Sequence, residues 1–147
     1  MFKERFKIIP SVYLMLIKKN EILLSRRYNT GFHDGEYGLP AGHLEGNETF
    51  IQAIIREAKE EIDIELDKTA LKLIHVMDRK ELTEERVDFF FEAKKWQGKP
   101  KIMEPNKCDD LRWFGLDNLP GNVIPYIRQV INSYLKGEFY SEYGWKN

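Results

Sequence analysis

Three glutamates, Glu57, Glu60 and Glu61, stand at i, i+3 and i+4 in the run Arg56-Glu57-Ala58-Lys59-Glu60-Glu61. On a helix this spacing puts their side chains on one face. Like charges about 6 Å apart repel by roughly 0.7–3 kcal/mol per pair, depending on the effective dielectric. A helix can carry such a cluster through solvation or through a cation. Hard divalent ions such as Mg²⁺ take oxygen ligands from a few carboxylates and complete their shells with water and phosphate oxygens. Taken alone, the run reads more readily as a solvated acidic face softened by Arg56 and Lys59.

The flanking residues reverse that reading. Gly42 is followed after five residues by Glu48, and after seven more by Arg56-Glu57-Ala58. One residue later come Glu60-Glu61, and one after that Asp63-Ile64. The stretch resembles the Nudix box, G-x5-E-x7-R-E-U-x-E-E-x-G-U, where U is a bulky aliphatic residue. All six fixed Gly, Glu and Arg positions before the final Gly match. At average residue frequencies, chance produces this in about one chain of this size in 10⁵. Two positions depart: Asp63 stands where the pattern has Gly, and Ala58 where it has a larger aliphatic. Glycine there allows a positive φ at the helix end, and Asp is among the residues that best tolerate that conformation.

The resemblance implies an α/β/α sandwich with a mixed sheet between helices, and hydrolysis of a nucleoside diphosphate linked to another group. The cofactor would be Mg²⁺ or Mn²⁺. Carried over by position, Glu57, Glu60 and Glu61 are the metal-binding carboxylates and the Gly42 carbonyl a further ligand. Arg56 orients Glu57, Glu48 supports the loop, and the general base is Glu60 or Glu57. Water attack on phosphorus needs charge neutralised and a nucleophile deprotonated, and clustered metal ions do both. The run Lys95-Trp96-Gln97-Gly98-Lys99-Pro100, then Glu104, is similar to the MutT-type subgroup. That similarity makes Glu104 the candidate extra acidic residue, with Asp109 and Asp110 as competitors.

Arg26 and Arg27 end an apolar run where a polyphosphate would lie; arginine forks suit phosphate oxygens, and strand alternation turns one of them inward. His43 follows Gly42 and is a candidate phosphate contact. Asn122, in the turn Leu119-Pro120-Gly121-Asn122, is the candidate base reader, since its amide both donates and accepts. Tyr28, Phe32 and Tyr37 are candidates to stack on a base or simply to pack a loop. His33 and His75 have no informative spacing, and Trp113 and Phe114 read as core. The leading reading is cleavage of a nucleoside triphosphate, including a damaged or non-standard one, to monophosphate and pyrophosphate. The alternative is an ADP-ribose or nucleotide-sugar pyrophosphatase.

These residues need elements to position them. Val12 to Ile17 and Glu21 to Ser25 read as a strand hairpin, and Arg26 to Gly38 as a long polar loop. Tyr37 to Leu44 suits an edge or a tight bend. The pattern predicts a helix from Glu48 to about Ile62, with Asn47 as cap and Glu48 in the first turn. Strands follow at Leu71 to Met77, Val87 to Ala93 and Leu111 to Leu116, with turns at Glu81 to Arg86 and Gln97 to Pro100. A second helix, Ile124 to Leu135, ends at Gly137. Strands and helices without regular alternation predict an α+β fold.

Composition sets the outer bounds. A chain of 147 residues with 42% hydrophobic and 32% charged residues predicts one globular domain spanning 1–147. Twenty-three Lys and Arg against twenty-four Asp and Glu give a net charge of −1, which disfavours bulk binding to nucleic acid or anionic membrane. One cysteine, Cys108, permits no intrachain disulfide, and no apolar stretch approaches the ~20 residues that span a bilayer. The expected setting is cytoplasmic and the expected partner a nucleotide substrate, with monomer and homodimer both open.

Overall fold

The computed structural model describes residues 3–146. Its strands and helices are β1 (Ile9–Lys18), β2 (Glu21–Arg27), β3 (Tyr37–Gly38), β4 (Ala41–His43), α1 (Phe50–Ile62), β5 (Leu71–Lys80), β6 (Glu85–Ala93), β7 (Cys108–Gly115), α2 (Pro125–Leu135) and β8 (Tyr140–Tyr143). The eight strands form a mixed sheet in the order β3-β2-β1-β6-β5-β8, with β4 also pairing β1 and β7 also pairing β2.

β1 organises the layers. Ser11 through Ile17 are all buried, the mark of a strand covered on both faces. Side chains alternate across a strand. Tyr13, Met15 and Ile17 therefore join one core with Tyr126, Ile127, Val130 and Ile131 of α2. Val12, Leu14 and Leu16 join the other with Ala53, Ile54, Ala58 and Ile62 of α1. The result is the α/β/α sandwich that the resemblance implies. Lys19 and Asn20, with φ of 50° and 62°, close the β1–β2 hairpin in a two-residue turn whose twist matches the strands. Trp113 and Phe114 are half-buried at the borders of the two cores.

The helix start differs from the sequence expectation. Thr49, not Asn47, caps α1: its hydroxyl accepts from the Gln52 amide while the Gln52 side chain accepts from the Thr49 amide. Asn47 lies outside the helix at φ 54°, so Glu48 precedes the first turn and is free to turn toward Arg56. The end follows expectation. Asp63 adopts the left-handed conformation at φ 58° and ψ 41°, and its carboxylate meets Lys59 at 2.9 Å. Ala58 is fully buried beneath the helix.

Tyr37 to His43 resolves into two short strands, β3 and β4, around Leu39-Pro40. β8 was not legible, because its Tyr-Ser-Glu-Tyr sequence is short and polar. It extends the sheet by parallel pairing with β5. Buried His75 anchors it, donating from Nδ1 to the Glu138 carbonyl at 2.9 Å and accepting at Nε2 from Ser141 Oγ at 2.7 Å. Among the described residues no helix is long and apolar enough to cross a membrane.

Replacing Asp63 by Val places a β-branched side chain in the left-handed region and removes the Lys59 contact. We expect a loss of about 1–2 kcal/mol, read as a lower midpoint in thermal or urea unfolding, with Asp63→Asn close to wild type.

Candidate active site

Pairing of β4 with β1, Val12 opposite Gly42, fixes the loop that leads into α1. Gly42 then lies so close to α1 that a Cβ built on it would overlap the Glu57 carboxyl group. A larger residue would have to push the Glu57 carboxylate aside, and the reason is that contact rather than backbone conformation. One residue earlier, the Ala41 amide donates to Glu61 Oε2 at 3.2 Å. The loop and the carboxylate face of α1 are thus in direct contact.

Arg56 connects the acidic groups. Its Nη2 donates to Glu48 Oε1 at 2.8 Å and to the His43 carbonyl at 3.2 Å. Nη1 donates to Glu57 Oε1 at 2.7 Å and Glu60 Oε2 at 3.2 Å, and Nε lies 3.1 Å from a Glu45 oxygen. Glu60 remains more than half exposed. The Glu48 carboxylate also accepts from the Glu45 amide, and its pKa falls, chiefly through Arg56.

The Glu57 and Glu61 carboxyls are neighbours that act on each other's charge. Burial, then the neighbouring Glu57 charge and Glu104, push the Glu61 carboxyl up to about 8, against the opposing bond from the Ala41 amide. Burial also raises Glu57, although Arg56 favours its ionised form.

Glu104 reaches this region through the backbone. The amides of Lys101 and Met103 donate to the Ile62 and Glu61 carbonyls at 3.0 and 3.1 Å, tying its loop to the end of α1. The competing aspartates are engaged elsewhere: Asp109 with Arg26 Nε at 2.7 Å, and Asp110 with the Tyr37 hydroxyl and Arg112.

Glu57, Glu60, Glu61, Glu104, Gly42, His43 and both candidate arginines line one cleft of about 670 Å³. Three strands also supply arginines to the cleft, β2 Arg26 and Arg27, β5 Arg79 and β6 Arg86. Strict alternation does not separate Arg26 from Arg27, because the β2–β7 register shifts between them. Arg27 Nε donates to the Phe32 carbonyl at 2.6 Å. Asn122 does not line the cleft, and its amide donates to the Gly35 carbonyl at 2.9 Å. Tyr37 is buried, whereas Phe32 is on the cleft wall and partly exposed.

Arg86 was missed in the sequence. Its guanidinium is buried, donates to Ser11 Oγ at 2.7 Å and contacts His43 Nε2. Burial, then Arg86, lowers the His43 pKa. No local pattern could flag this contact, which spans 43 positions of chain.

The family model for the NUDIX domain matches residues 7–134, which contain every group described above. The chain belongs to the Nudix family. It is 28% identical over 129 residues to the NAD-capped RNA hydrolase NudC of Stutzerimonas stutzeri, an alignment covering 88% of this chain and 43% of that protein. This Nudix chain thus spans less than half the length of that relative. A MutT Nudix hydrolase from Burkholderia pseudomallei superposes with a TM-score of 0.79 at 27% identity, covering 86% of this chain and 98% of the other. A bifunctional NMN adenylyltransferase/ADP ribose pyrophosphatase from Francisella tularensis, solved with AMP and a Mn ion, gives 0.70 at 24% identity, over 88% and 42%. The Nudix family comprises hydrolases of phosphoric anhydride bonds, and the resemblance of the box is thereby confirmed as membership.

Two outcomes follow from the packing. Gly42→Ala must displace Glu57, and a shift of about 1 Å at such a site can cost roughly 10²-fold in rate; the check is the turnover of the variant beside its unfolding midpoint. Glu61, with a folded-state pKa near 8 against an ordinary 4.5, binds its proton more tightly when folded. Its stabilising contribution is full below pH 4.5 and is lost as pH rises toward 8. In EDTA, Glu61→Gln should therefore gain stability over wild type between pH 5 and 9, measured by thermal unfolding across that range.

Proposed function

We propose that this chain is a divalent-metal-dependent pyrophosphohydrolase of nucleoside diphosphate derivatives, with nucleoside triphosphates as the first class. The products would be a nucleoside monophosphate and pyrophosphate. The observation that carries this reading is the contact of Gly42 and Ala41 with Glu57 and Glu61, which sets a backbone carbonyl loop against clustered carboxylates. No three His, Cys, Asp or Glu side chains among the described residues form a ready-made cation cage. The donors nevertheless fit the metal. They are all oxygen, as Mg²⁺ and Mn²⁺ prefer, and burial together with the neighbouring Glu57 charge makes an ionised Glu61 costly without a cation.

Glu57, Glu60, Glu61, Glu104 and the Gly42 carbonyl would hold the metal. When bound, the cation neutralises phosphate oxygens and makes a water easier to deprotonate. The chain's own groups do the rest. Arg56 holds Glu57 and Glu60 in register, and one of these two carboxylates accepts the proton of the attacking water. Arg26 and Arg27 place cationic forks on one wall for phosphate oxygens. His43, in contact with Arg86, offers a ring on the loop that follows Gly42. Asn122 is left out of the base-reading role because it does not line the cleft, one of its N–H groups donating to the Gly35 carbonyl.

A second reading is cleavage of a diphosphate bridging a nucleoside to a second sugar or nucleoside. It is favoured by the likeness to the NAD-capped RNA hydrolase. A hydrolysis screen with Mg²⁺ over nucleoside triphosphates, ADP-ribose, nucleotide sugars and NAD separates the two. In either case Glu61→Gln should lower the rate at least ~10²-fold. An unchanged rate in that variant would remove the carboxylate stripe from the reaction.

A further inference from the structure

β4 is only three residues long, and its middle residue carries the backbone oxygen assigned to the metal. The Gly42 carbonyl belongs to the planar peptide unit that joins Gly42 to His43, so whatever fixes His43 also fixes that oxygen. Two holds act on the backbone. Pairing with β1 sets Val12 opposite Gly42 and Ser11 opposite His43, and Arg56 Nη2 donates to the His43 carbonyl at 3.2 Å.

The third hold is a side chain from another strand. Arg86 lies on β6, which pairs with β1 in parallel from Ile9 opposite Arg86 onward. Its guanidinium reaches across β1: Nη2 donates to Ser11 Oγ at 2.7 Å and meets His43 Nε2, while Nη1 meets Glu84 at the adjoining turn. A guanidinium has no lone pair to offer, so His43 Nε2 accepts this bond. One buried cation thus links β6, β1 and β4. Stability alone does not call for it, because apolar residues of similar volume often hold such a junction at least as well as buried charges. What it supplies is direction. A hydrogen bond fixes the angle of the His43 ring, and with it the strand that bears Gly42, where apolar packing would leave both freer to turn.

We propose that Arg86 is a positioning residue for the metal site, acting through His43 and Ser11 to hold the Gly42 carbonyl in place as a ligand. This deepens the pyrophosphohydrolase reading and rests on it for Gly42 as a ligand. Removing a hydrogen-bond partner one step behind a metal ligand costs roughly 10–100-fold in metal affinity. Since β1 pairing and Arg56 hold the same peptide unit, the lower end of that range is expected here.

Mn²⁺ binding is measured without nucleotide, from the EPR signal of the free ion, so a contact of His43 with phosphate plays no part. Arg86→Met and His43→Leu should each weaken Mn²⁺ by about tenfold. His43→Gln, whose side-chain oxygen can accept from Arg86, should bind close to wild type. The double variant Arg86→Met/His43→Leu should be no weaker than either single one, because both cut the same link. The proposal is overturned if Arg86→Met binds Mn²⁺ like wild type, if His43→Gln loses as much as His43→Leu, or if the two losses multiply in the double variant. Should Arg86→Met fail to fold, His43→Leu against His43→Gln decides, since both keep the buried guanidinium and its Ser11 bond. The two readings fail separately: metal-dependent hydrolysis with Arg86→Met matching wild type in Mn²⁺ affinity sinks only the positioning role. Mn²⁺ binding that depends on Arg86, without hydrolysis of any nucleotide, sinks only the enzymatic reading, and a wild type that binds no Mn²⁺ sinks both.

Discussion

Crowded acid beside a glycine is the constraint on which the rest of this structure depends. Glu57 and Glu61 are neighbouring carboxyls, partly shielded from water, under a loop whose Gly42 has the Glu57 carboxyl where a Cβ would stand. Such an arrangement opposes folding, since burial favours neutral carboxyls and like charges repel. It persists because Arg56 joins Glu48, Glu57 and Glu60, and because the Ala41 amide satisfies Glu61. The acid that remains unbalanced is what a hard cation would neutralise.

The fold serves that junction by long-range ties. β1 is shared by both cores, so its position is fixed from two sides, and β4 inherits that precision by pairing with it. The end of α1 is closed by Asp63, and its last carbonyls receive the amides of Lys101 and Met103. That second tie carries Glu104 back to a carboxylate 43 positions earlier, Glu61. Arg86 does the same for His43. Each tie uses backbone or buried polar groups, which must find partners once water is excluded.

Much of the site was legible because helical spacing is local. Glu57, Glu60 and Glu61 share a face by periodicity alone, and Asp63 could be anticipated as a left-handed terminator. The helix start was less legible, since Asn47 and Thr49 are both good caps and only the Gln52 partner decides between them. Arg26 and Arg27 show the limit of strand periodicity, which a register shift overrides. Asn122 has the right chemistry for reading a base, but spacing could not show that it stands outside the cleft with an N–H on the Gly35 carbonyl, a contact across 87 positions.

The amino-acid order by itself determined the carboxylate stripe, its arginine, the glycine before it and the mixture of strands and helices, because those depend on neighbours within a few turns of chain. Only the tertiary structure decided which acidic loop residue faces the stripe, which aromatic rings line the cleft and which arginines join them. Those outcomes depend on strand pairing and on competition for hydrogen-bond partners between distant segments. Spacing along the chain does not encode that competition; packing settles it.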